Sequence, residues 1–340
     1  MKRSSLILIT IGLVIVMLVA YVALKPGDEV QYKKITIGYQ PSTHQTAAMV
    51  AAEKGWWKDD LNKFGIEEVE FLKFPSGPPE MQAMKAGELD IAYVGVAPPI
   101  ANMYEGLNAK IIAGVQTQGS GLVLRHELAD EYEGPISLKG LTIATYPPGS
   151  VQHTILSKWL SDHGVDPKKD VYMLPVKPGE AASEIATGAV DGVFLPSPHP
   201  TIIEEAGSGK IVEWSGSMWP DHACCCLVVR GELIRKHPEM VEQIVRTHIR
   251  ATEYEKDHPD EASEICARWI GVDASTVKRS IDKTDMRWIH DPHIEIDSGL
   301  EYARIIYGLN RERYEGRGIK MLREDDIFDT SFYDEIMAKR

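Results

Sequence analysis

Residues 74–99, FPSGPPEMQAMKAGELDIAYVGVAPP, decide how this chain folds. They read as a proline-rich turn, a short helix, a tight glycine turn, a buried strand and a Pro-Pro helix start. The same order returns at residues 174–200, LPVKPGEAASEIATGAVDGVFLPSPHP. Pro75, Pro78 and Glu80 match Pro175, Pro178 and Glu180 at an offset of 100, and Gly87 and Asp90 match Gly188 and Asp191 after one inserted residue. Upstream, ITIGYQPS from Ile35 is echoed by LTIATYPPGS from Leu141. A Gly-x-x-Asp turn before a strand is common in α/β chains, but the Pro-x-x-Pro-x-Glu spacing is not explained by that alone. Two copies of one strand-helix-strand unit predict two similar lobes meeting across a cleft.

The bulk properties agree with two lobes. At 340 residues the chain is long for one core. A net charge of -13 argues against a nucleic-acid partner, which requires a basic face. It leaves room for a small anion, because helix ends and backbone amides bind anions inside acidic proteins. Lys2 and Arg3 precede an unbroken apolar run from Leu6 to Leu24, closed by Lys25, Pro26 and Gly27. That run approaches the ~20 residues that span a bilayer. Residues 1–25 are therefore expected to form a transmembrane anchor with the body outside, the alternative being a cleaved signal, and residues 26–33 a linker. No cysteine follows the run to carry a lipid. Either way the chain reads as exported.

Strands are expected at residues 34–39, 69–74, 91–95 and 110–116, alternating with helices. A second series follows at 122–125, 141–146, 171–176, 192–195 and 211–214, then an apolar strand at 224–230 and a wholly helical tail. This alternation predicts an α/β architecture of two parallel or mixed sheets flanked by helices. The expected lobes are 34–121 plus 227–340, and 122–226, with crossings near 117–126 and 221–230 forming a two-strand hinge. Cys224, Cys225 and Cys226 fall on one strand, where neighbours point to opposite faces. They read as small buried hydrophobes with no metal-ligand spacing.

In open α/β sheets ligands sit beyond the C-terminal ends of the strands, where helix starts offer unpaired amides. That rule selects five loops. The first holds Gln40, Ser42, Thr43 and His44, the second Gly95, Val96 and Ala97, the third Gln116, Thr117 and Gly119. The fourth holds Gly149, Ser150, Val151, Gln152 and His153, and the fifth Pro196, Ser197 and His199. The Pro-Gly-Ser turn suits an oxyanion at a helix start, although Ser150 also suits a helix cap. Three histidines in three such loops point to a polar pocket. Arg125 belongs either to the cleft or to the hinge. No Gly-x-Ser-x-Gly elbow, phosphate loop or His-Glu-x-x-His is present, so no catalytic residue, cofactor or resident metal is expected.

The run AGELDIAYVGVAPPIANMYEGLNAKIIAG closely resembles the substrate-binding receptors for sulfonates, taurine and nitrate of ABC importers. The likeness continues through AAEKGWW, LKGLTIATYPPGSVQH and CCCLVVRGELIRKHPEMVEQIV. It implies a two-lobed periplasmic-binding-protein fold of type II that closes on a small oxoanion or organosulfonate. It also implies a monomer that docks on permease and ATPase subunits. Such receptors usually carry an aromatic-rich loop where this chain has LPSPHP. The related pyrimidine synthases of thiamin biosynthesis carry CCCFC where this chain has CCC followed by Leu227 and Val228. That resemblance keeps a pyrimidine-synthase-type enzyme, or a receptor for a thiamin precursor, as the alternative.

Overall fold

The computed structural model describes residues 32–340, and the expected anchor at 1–25 lies outside the described residues. Among the described residues no helix is long and apolar enough to cross a membrane. Lys34–Arg340 forms one compact unit. Its strands are β1 (Lys34–Tyr39), β2 (Glu68–Lys73), β3 (Ile91–Gly95), β4 (Ala109–Thr117), β5 (Ser120–Leu124), β6 (Thr142–Thr145), β7 (Tyr172–Pro175), β8 (Gly192–Pro196), β9 (Lys210–Trp214), β10 (Ala223–Arg230) and β11 (Arg287–Trp288).

They build two sheets, ordered β11-β4-β10-β3-β1-β2 and β7-β6-β8-β5-β9. In the first, β1 runs parallel to β2 and β3, while β10 is antiparallel to β3 and β4. In the second, β6 runs parallel to β7 and β8, while β5 is antiparallel to β8 and β9. The halves are topological copies, as the repeated sequence predicts. The central strands β3 and β8 are buried throughout, which explains why IAYVG and GVFLP are apolar on both faces.

The chain leaves the first sheet at Gln118 and Gly119 and returns to it through residues 219–222. Sheet pairing places Ser120 and Gly121 in the second sheet and residues 223–226 in the first. The expected limits at 121 and 227 cut through β5 and β10, because an apolar strand that starts at a crossing carries no local mark of its owner. The tail is not wholly helical. β11 is a two-residue strand on the edge of β4, too short for any periodicity to announce it.

The repeat has a physical cause. Gly87 and Gly188 end their helices in the left-handed conformation, at φ 84 and 73. The aspartate three residues on then turns back. Asp90 Oδ2 accepts from Thr36 N at 2.9 Å, and Oδ1 from Arg230 Nη2 at 2.6 Å. Asp191 Oδ2 accepts from Thr142 N at 2.9 Å, and Oδ1 from Arg125 Nη2 at 3.0 Å. Arg230 ends β10 and Arg125 follows β5, so each returning strand is locked to its sheet by one arginine. These locks sit at the N-terminal ends of the parallel strands, opposite the loops selected above. Arg125 is thus an anchor and not a cleft residue.

Candidate functional site

The loop after β1 is drawn wholly inside. Ser42 is 4% exposed, Thr43 0%, His44 1% and Gln45 0%, and the short turn Thr43–Gln45 feeds the helix Thr46–Glu53. Gln40 N donates to Gln45 Oε1 at 2.6 Å, and Gln40 Nε2 to Glu80 Oε2 at 2.7 Å. Burial pushes the Glu80 carboxyl well above the usual carboxylate range.

The ring of His44 has a fixed orientation. Its Nε2 lies 3.0 Å from Gly119 O. A carbonyl only accepts, so Nε2 carries a proton and Nδ1 is the ring atom turned towards the sulfurs. Nδ1 faces Cys224 Sγ at 3.4 Å and Cys225 Sγ at 3.9 Å. The expectation that adjacent cysteines point apart fails here. The pairing of β10 with β4 shifts register between Ala223 and Cys225 and again between Cys225 and Cys226. Such bulges re-aim side chains. The three ligand-capable atoms lie within 4.8 Å of one another, a sulfur-nitrogen set suited to a soft cation. Linear spacing concealed this set because His44 and Cys224 are 180 residues apart. Burial raises the Cys224 thiol, while its S–H and then His44 draw Cys225 downward.

The second sheet meets this loop directly. Ser197 O accepts from Thr43 N at 3.2 Å and from Thr43 Oγ1 at 3.1 Å, and Ser197 N donates to Gly119 O at 3.0 Å. Gln152 Nε2 donates to Ser120 Oγ at 3.0 Å. Val151 packs so closely on Gly95 that a Cβ there would meet its Cγ2 at 2.9 Å. Val96 N donates to Cys224 O at 2.8 Å, and the helix Ala97–Tyr104 starts beside it.

Around this junction many buried polar atoms have no hydrogen-bond partner. They include Gln45 Nε2, Gln116 Oε1, Thr117 Oγ1, Tyr146 OH, Ser197 Oγ and His199 Nε2. His44 lies close enough to His199 to act on it electrostatically, and Tyr146 and Gln45 lie within interaction range of Cys225. Burial lowers the His199 ring to about 4, leaving it neutral. An unpaired buried polar group costs on the order of 1–3 kcal/mol, so native proteins hold few of them. Loops of both sheets supply these atoms, and a polar solute seated among them would satisfy them.

The fourth loop divides. Gln152 and Val151 join the interior, but Ser150 Oγ accepts from His153 N at 3.2 Å and caps the helix Val151–Asp162. Gly149 and His153 line a separate outer groove of about 590 Å³ with Asn102, Lys168, Arg313 and Tyr314. Pro196 pairs with Ser120 inside the second sheet. Tyr146 and Gln45 were missed although each lies beside a selected loop, and strand-end proximity alone would have added them.

The NMT1-like family model matches residues 28–271. The chain belongs to the NMT1-like family. A putative aliphatic sulfonates-binding protein of Bacillus subtilis (strain 168) is 29% identical over 262 residues, 76% of each chain. The alkanesulfonate-binding protein SsuA of Xanthomonas axonopodis pv. citri, solved bound to MOPS, superposes with a TM-score of 0.70 at 17% identity. It covers 87% of this chain and 96% of its own. The periplasmic nitrate-binding protein NrtA of Synechocystis PCC 6803 superposes with a TM-score of 0.73 at 17% identity, covering 91% and 89%. The last two establish the fold: this chain is a two-sheet α/β protein of the periplasmic-binding-protein type.

Proposed function

We propose that this protein is the solute receptor of an ABC-type importer. It is exported, holds a small solute between its two sheets, and presents it to a permease and its ATPase as a monomer. The observation that carries this reading is the set of unpartnered buried polar atoms supplied by loops of both halves. A group seated there would be bound from both sides, which couples binding to closure. A small oxoanion or organosulfonate is the first ligand class to test, since relatives are named for sulfonates and nitrate. The neutral His199 ring, hydroxyls, amides and helix starts would hold it. The apolar run at residues 6–24 supports tethering at the outer face of the membrane. Thermal unfolding of the purified protein with taurine, ethanesulfonate, nitrate and bicarbonate tests this reading. A concentration-dependent rise with one of them is expected, and no rise with any would end the anion assignment.

A second reading is favoured by one observation, the His44, Cys224 and Cys225 cluster. An enzyme of the pyrimidine-synthase type would hold iron there. Stoichiometric iron lost on Cys225→Ser, together with a pyrimidine product, would replace the receptor reading. A receptor for a thiamin-precursor pyrimidine is tested by adding an aminopyrimidine to the same thermal screen.

A further inference from the structure

Residues 272–340 lie beyond the family match, and within them the chain crosses back over both connections between the sheets. Asp285, between the helix Ala274–Lys283 and β11, ties together separate pieces of chain. Its Oδ1 accepts from Gly119 N at 2.8 Å, its Oδ2 from Gly216 N at 2.6 Å, and its backbone oxygen from Gln118 Nε2 at 2.6 Å. Arg287 pairs with Asp221. Gln118 and Asp221 are the non-glycine residues with positive φ among those described, at 62 and 55, one on each connection. They are bonded to each other through Asp221 N and Gln118 Oε1 at 2.9 Å. Backbone held in that region persists only where its surroundings over-determine it.

The peptide of Gly119 is the junction. Its N–H goes to Asp285, and its carbonyl accepts from His44 Nε2 and Ser197 N. Asp285 therefore reaches both jaws through one residue. A side chain at 119 would meet Met286 Cβ at 2.7 Å and His44 Nε2 at 2.8 Å, so the junction requires glycine. Just upstream, Arg279 Nη2 donates to Glu205 Oε2 at 2.9 Å, and Lys283 lies 3.2 Å from Glu204. Both glutamates stand on the helix His199–Glu205, which opens with a residue of the polar junction.

We propose that residues 274–288 form a latch that favours the closed arrangement of the two sheets, with Asp285 as a positioning residue acting through Gly119. Its purpose rests on the receptor reading, but its geometry does not. Rotation about the two connections would part Glu204 and Glu205 from Lys283 and Arg279 and unseat Asp285, so these contacts discriminate between closed and open states. Only such a difference can shift the equilibrium between them.

Hydrogen exchange on the full-length protein tests the latch. Arg279→Glu with Lys283→Glu, and separately Asp285→Asn, should speed exchange of amides in residues 40–46 and 194–200 on the order of tenfold. Amides of β3 and β8 should keep their protection, and adding Glu204→Lys with Glu205→Arg to the double variant should restore slow exchange. Taurine, used as the probe, should bind about tenfold more weakly to the latch variants. If β3 and β8 also lose protection in the double variant, Asp285→Asn, the near-isosteric change, decides. Unchanged exchange at 40–46 and 194–200 in both variants overturns the proposal. Faster exchange there without measurable taurine binding leaves the latch standing and removes the sulfonate assignment.

Discussion

The two halves of this protein carry the same lock and different jaws. Asp90 with Arg230, and Asp191 with Arg125, bind the same backbone position in each sheet through the same carboxylate oxygens. The loops at the other end of the equivalent strands β1 and β6 have parted company. After β1 the chain is buried from Ser42 to Gln45 and points His44 at two thiols. After β6 it is half outside, with Ser150 spent on capping its own helix. Duplicated topology holds the scaffold, while the chemistry concentrates where one copy folded its loop inward.

The locks give the largest effects. Asp90 and Arg230 side chains are 10% and 19% exposed, against 25% and 30% for Asp191 and Arg125. Breaking a buried pair strands a charge at a cost of about 3–5 kcal/mol. Asp90→Ala should lose that order of stability in urea unfolding, and Asp191→Ala clearly less. Equal losses would mean that exposure does not separate the halves.

Acid should weaken the fold through its buried histidines. His222 and His248 are fully buried, and burial lowers them from 6.5 to about 4 and about 3. The folded state then binds fewer protons than the unfolded chain in that interval. Their contribution is complete above pH 6.5 and is lost progressively as pH falls towards 4. Each ring costs on the order of 2 kcal/mol between pH 6.5 and 5 at the scale of 1.36 kcal/mol per unit. Urea midpoints at the two pH values check this, and a pH-independent midpoint contradicts neutral burial.

His44→Ala and His153→Ala set the jaws against each other. A solute at 100 times its dissociation constant adds about 2.7 kcal/mol of stability. His44→Ala should abolish that gain with the probe that binds, and His153→Ala should keep it. The reverse would move the site to the outer groove. Smallest is Ser150→Ala, which should cost about 1 kcal/mol as a lost cap and leave affinity nearly unchanged.

Much of the fold was legible in the chain because its signals are local. The glycine that ends a helix, the aspartate three residues on and the apolar strand after it all fall within ten residues, twice. The loops at strand ends followed from one rule, and three residues it named, His44, Ser197 and Gln152, bond to the neighbouring Gly119 and Ser120. What escaped depends on pairing across distance. The bulges of β10 arise from its register with β4, so CCC looked inert. β11 is a strand only because Gln116 and Thr117 lie beside it. Ser150 shows the opposite case, where one residue fits capping and ligand contact equally and only geometry separates them.

A crystal structure of the protein saturated with the solute that raises its melting temperature most tests the central claim directly. That solute is expected between the sheets, hydrogen-bonded to Ser197 Oγ and to at least one of Gln45 Nε2 and His199 Nε2. A solute in the groove beside His153 and Arg313, with those interior atoms still unpartnered, would contradict it.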